Sequence, residues 1–264
     1  MKFILTPILE KMEQLYLMPR NRSRFDAYLF MLQGNKKSRD ASVSIEAAQK
    51  DMVLPIAGYN PMGNDFTLQQ LRKLIRLEAE NIATEEITKI NSQLGKTKEP
   101  KFDVVINMAD DIGGSWSNRT TTDFTSKFDI APLIKRNFCT PYFWTGETFN
   151  PDMIRQKIRE YLWRTVHWTQ KGKPITLKDH VHQEIFVRRK SESYSTDQTN
   201  YDFTHIKKIY SEYRLSENYN VIFNFFYGDE SSKQLNYPTY GAGVDEGHLF
   251  ITHLSKLDNA SKLN

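Results

Sequence analysis

The chain has 264 residues, of which 39% are hydrophobic and 26% charged, with a mean hydropathy of −0.59. That length can fill a core unaided by disulfides or metal, and the composition fits an ordinary soluble globule. Its single cysteine, Cys139, excludes a disulfide framework and suits a reducing compartment, and no apolar run approaches the length that spans a bilayer, so a cytoplasmic protein without membrane attachment is expected. Net charge is +4, and the first fifty residues, with nine bases against five acids, carry all of it. No nucleic-acid-binding motif accompanies that excess, which argues against a nucleic-acid partner.

In chain order, Thr6 to Tyr16 carries Ile8, Leu9, Met12, Leu15 and Tyr16 at helical spacing, and Pro19 ends the run. A second helix is expected from Arg22 to Leu32. Pro55 to Asp65 is rich in Gly and Pro and reads as an ordered turn. A long helix is expected from Thr67, with Thr67 and Gln70 at capping-box spacing, to Gly95. Phe102, Val104, Ile106 and Met108 alternate as in a strand. Asn150-Pro151-Asp152 opens another helix, since Asn suits the cap, Pro the first turn and Asp the positive helix end. Thr176 and Asp179 cap a helix reaching Arg189. Residues 191–200 read as a mobile surface loop, followed by a helix near Asp202–Tyr213. Val221, Phe223, Phe225 and Tyr227 alternate as a second strand, and the glycine-rich 237–248 segment reads as a flexible connection. Many helices and two strands predict an α+β fold, mainly helical, with 1–264 forming a single domain around a small sheet.

The chemistry concentrates where the first strand ends. Asp110 and Asp111 follow it, and carboxylates there can hold a divalent ion or act as base. Gly113 and Gly114 permit close backbone approach, Trp116 offers a stacking face, and Asn118 and Arg119 offer donors to an anionic group. The aromatic segment 138–147 supplies Trp144 and Glu147, and Glu147 is a candidate to complete a carboxylate pair with Asp110 if the loop folds back over it. The bland alternative is that the acids cap a turn, Trp116 plugs the core and Arg119 pairs with Asp111.

His180, His182 and Glu184 are weaker candidates for a metal. They would share one face of a strand, but the Thr176 cap and the Leu177, Val181, Ile185 spacing predict a helix, which separates His182 from the others. The cofactor stays unassigned, with a divalent metal as the candidate. The functional expectation is a small-molecule-binding protein, or a carboxylate-dependent hydrolase or transferase, with a pocket at 110–119 and 138–147. It would take a small polar or anionic molecule. The competing expectation is a non-catalytic interaction protein whose basic region 1–50 meets an acidic protein partner.

Overall fold

A computed structural model describes residues 1–33, 54–95, 100–112, 116–192 and 201–257. The architecture is mainly helical α+β, with eleven helices and five short strands among the described residues. No described helix is long and apolar enough to cross a membrane. Packing divides the chain into two compact units, Met1–Leu162 and Trp163–Asn264.

The first unit holds the strands β1 (Lys2–Leu5), β2 (Lys101–Val104), β3 (Asn107–Ala109), β4 (Phe138–Cys139) and β5 (Tyr142–Trp144). All pairs are parallel, in the orders β1-β2-β4 and β3-β5. Asp103 N–H donates to Asn137, Val105 to Cys139 and Asn107 to Pro141, at 2.8, 3.0 and 2.8 Å. The chain from 101 to 109 thus runs beside 138–144 throughout, and both stretches end at the same edge of the sheet. From Val104 to Asp110 every residue is buried, so the stretch from the end of β2 through β3 is covered on both faces, as parallel strands usually are. At the outer edge, the Asn91 side chain accepts from Phe3 N–H at 2.8 Å and donates to Phe3 C=O at 2.9 Å. It satisfies backbone groups that would otherwise invite another strand.

Around the sheet lie α1 (Leu9–Leu17), α2 (Arg22–Gln33), α3 (Asp65–Arg76), α4 (Ala79–Leu94), α5 (Arg119–Phe128), α6 (Ala131–Lys135) and the first turns of α7 (Pro151–Lys171). The helix expected as one piece from Thr67 is two. Glu78 takes a left-handed conformation (φ 54°) between α3 and α4, and Asn64, not Thr67, caps α3 by accepting from Phe66 and Thr67 N–H. At α7 the Asn150 side chain accepts from Met153 N–H at 2.9 Å, as a cap should.

The second unit contains the end of α7, then α8 (Leu177–Ser191), α9 (Thr204–Tyr213), α10 (Tyr219–Gln234) and α11 (Glu246–Lys256). Thr176 and Asp179 form a reciprocal capping box at the start of α8. The second expected strand is instead the first half of α10. Residues 221–228 are all buried, and a helix buried all round shows no apolar stripe for a periodicity argument to find. Gly228 breaks α10 at φ 80°. The 237–248 segment is pinned down: Asp229 accepts from Tyr240 and Gly241 N–H, and Glu246 from Gly243 N–H. Of the expected loop at 191–200, Ser191 ends α8 and Glu192 caps it, while 193–200 lie outside the described residues.

Candidate functional site

The site is built where β3 and β5 end side by side. Thr145 N–H donates to Ala109 C=O at 3.0 Å, the last rung before the chains diverge. Beyond it, Asp110 and Asp111 leave one strand as Thr145, Gly146 and Glu147 leave the other. Asp111 Oδ1 accepts from Thr145 Oγ1 at 2.9 Å and Gly146 N–H at 2.8 Å, and Oδ2 accepts from Arg119 Nη1 at 2.5 Å. Arg119 Nη2 reaches Glu147 Oε1 at 3.2 Å, and Lys157, on α7, holds both Glu147 oxygens at 2.6 and 2.7 Å. The charges therefore alternate along Asp111, Arg119, Glu147 and Lys157.

The exposures of these groups differ. The Arg119 side chain is 46% exposed, against 8% for Asp111 and 16% for Glu147. Burial pushes the Asp111 carboxyl up, but bonds from Arg119, Gly146 N–H and Thr145 outweigh it and hold the group below its ordinary range. Burial pulls the Lys157 ammonium down against the opposing pull of Glu147. Arg119 sits at the first position of α5, the wrong end of a helix for a cation, and the two carboxylates compensate. Its guanidinium lies 5.0 Å over the buried Trp144 ring.

Asp110 is different in kind, with no solvent exposure. Its Oδ2 accepts from Asn60 Nδ2 at 2.9 Å and Thr67 Oγ1 at 3.3 Å, and Oδ1 accepts from Thr145 Oγ1 at 3.2 Å. It thereby ties the 54–64 turn and α3 to the sheet. Further bonds hold that turn: Asn107 Oδ1 accepts from Gly58 N–H, and Tyr59 donates to Ile106 C=O.

The remaining candidates divide. Trp116 is 39% exposed, its indole N–H donating to Ala57 C=O at 3.3 Å and its ring edge-on to Tyr28. Asn118 is spent as the cap of α5, accepting from Thr121 N–H. Gly113 and Gly114 lie outside the described residues. On α8, His180 and Glu184 face inward while His182 is exposed. Glu184 is bound bidentately by Arg164, two bonds of 2.8 Å, and burial pulls His180 down to about 4. Among the described residues no group of three His, Cys, Asp or Glu side chains is arranged to hold a metal ion.

In the basic region 1–50, Arg20 and Arg22 are exposed but Arg24 is buried, while Lys36, Lys37, Arg39 and Lys50 lie outside the described residues. Sequence reasoning missed Thr145, Lys157, Asn60 and Thr67 as parts of the site. Thr145 could have been found from its place between Trp144 and Glu147. The others come from distant segments and carry no local signal. No family model, curated protein or solved structure matches the chain.

Proposed function

We propose that the protein binds a small polar molecule at the carboxyl ends of β3 and β5, with Asp111, Arg119 and Glu147 as its contact residues. The observation that carries this reading is the meeting of those three side chains where adjacent parallel strands end. Ligands of open parallel sheets collect at that edge, because the loops there diverge and leave backbone and side-chain groups facing outward. Arg119 is the exposed member of the set and carries donors beyond those given to the two acids. An ionised Asp111 beside it is the group for acid–base work in a hydrolase or transferase. The reading is of a cytoplasmic protein, supported by its single cysteine.

The test is a thermal-shift and calorimetric screen of phosphates, carboxylates, amines, sugars and Mg²⁺ on the wild type, Arg119→Ala and Asp111→Asn. One ligand class should stabilise the wild type and bind about tenfold or more weakly to Arg119→Ala, the loss expected for a charge-assisted contact. A flat response in the wild type, or equal binding by all three proteins, would overturn the reading.

A further inference from the structure

The first turn of α2 buries a charge that the Asp111–Arg119 cluster does not use. Arg24 is 2% exposed. Its Nη2 donates to Gly63 C=O at 3.0 Å and its Nη1 to Met18 C=O at 3.5 Å, while Nε has no acceptor. Asp26, the nearest acid in sequence, pairs with Arg22 instead. The Arg24 guanidinium lies 4.8 Å over the Tyr16 ring, and the Tyr16 hydroxyl, on a side chain 5% exposed, also lacks a partner. Tyr16 is within electrostatic reach of both Arg24 and Asp110. Gly63 leads directly into Asn64, the cap of α3, whose Thr67 bonds Asp110. Arg24 is therefore linked to Asp110 through the Gly63–Thr67 segment.

A guanidinium cannot shed its charge, and a buried charge is costly without a countercharge. The carbonyl end of α1 and the Tyr16 face compensate only in part. Nε–H and the phenolic O–H are both donors, so an acceptor bearing negative charge is the chemistry they lack. Arg20 adds a favourable field, whereas Asp65 and Asp110 oppose an anion and keep the affinity for an isolated ion low.

We infer that Arg24 and Tyr16 form an oxyanion subsite, taking a phosphate or carboxylate group. The inference rests on the proposed binding function for the rest of that molecule, though not for the anion itself. Both donors are closed to solvent.

Tyr16→Phe tests this without emptying the core. Inorganic phosphate and acetate are compared with sodium chloride at matched ionic strength, by thermal shift and calorimetry. Phosphate or acetate should stabilise the wild type beyond chloride, and the one that does identifies the group. Tyr16→Phe should weaken that binding at least about fivefold, the loss expected for one hydroxyl-to-anion bond. Its ligand-free Tm should be unchanged or higher, because an unmatched buried hydroxyl has been removed. No response beyond chloride, an equal response in Tyr16→Phe, or a ligand-free Tm lower by several degrees would each overturn the subsite. Arg119→Ala separates the two readings. A phosphate response lost there but kept in Tyr16→Phe sinks the subsite and leaves the proposed function standing. One lost only in Tyr16→Phe supports the subsite.

Discussion

Glu184→Ala should be among the most damaging single changes in the second unit. The Arg164 and Glu184 side chains are 1% and 4% exposed and share two bonds of 2.8 Å, and Gln183 Nε2 donates to the same carboxylate at 2.9 Å. Removing one partner of such a pair leaves the other charge buried, at a cost of about 3–5 kcal/mol. A second route gives a similar figure. Burial alone would raise the Glu184 pKa, but Arg164 and Gln183 bring it from 4.5 down to about 2. A depression of that size corresponds to about 3 kcal/mol. Because the folded pKa lies below the unfolded one, this stability is fully present above pH 4.5 and is lost as pH falls towards 2.

The assay is urea unfolding at neutral pH followed by tryptophan fluorescence. Trp168 reports on the pair, since its indole N–H donates to Gln183 Oε1 at 2.6 Å. With a slope of about 2 kcal/mol per molar urea, the midpoint should fall by roughly 2 M. The variant should also show a flatter pH dependence between pH 4.5 and 2 than the wild type. The double variant Arg164→Met, Glu184→Leu should recover most of the loss, because it buries no unpaired charge. A cost under about 1 kcal/mol for Glu184→Ala, or a double variant no more stable than the single, would refute the argument.

Two further changes probe the backbone and the innermost acid. A Cβ at Gly247 would sit 2.1 Å from Phe225 C=O, so Gly247→Ala should force α11 away from α10 and cost about 3 kcal/mol or more, read as a lower urea midpoint. Wild-type stability in Gly247→Ala would mean that α11 does not pack this closely. Asp110→Asn keeps the size but replaces one acceptor oxygen with a donor facing existing donors, so it should cost about 1–3 kcal/mol and lower Tm. An unchanged Tm with lost ligand binding would give Asp110 a chemical role in place of a packing one.

Local signals in the sequence were read correctly where the physics is local. The Asn150 and Thr176 caps depend on a side chain reaching backbone N–H groups a few residues on, and both helices start where those residues stand. The extended stretch at 102–108 was legible from its alternating β-branched and aromatic residues, but it forms two strands, β2 and β3, in separate pairings, and not one. β1 was missed, as were β4 and β5. They are two to four residues long and exist because they pair with β2 or β3, a pairing of segments far apart in the chain. The same cause hid α10, whose all-round burial is imposed by its neighbours.

The site divides along the same line. From sequence alone came the position of Asp110 and Asp111 at the end of a strand, with Arg119 and Glu147 as their candidate companions. Composition likewise settled that the core needs no disulfide. Only the tertiary structure decided where each acid lies and what it bonds. It buries Asp110 among Asn60, Thr67 and Thr145, and it leaves Asp111 at the edge with Arg119 and Glu147. It also supplied Lys157 and turned Glu184 towards Arg164. Side-chain type and local spacing state what a residue can do. Burial and partner depend on chain segments tens of residues away, and these decide which of its capacities is used.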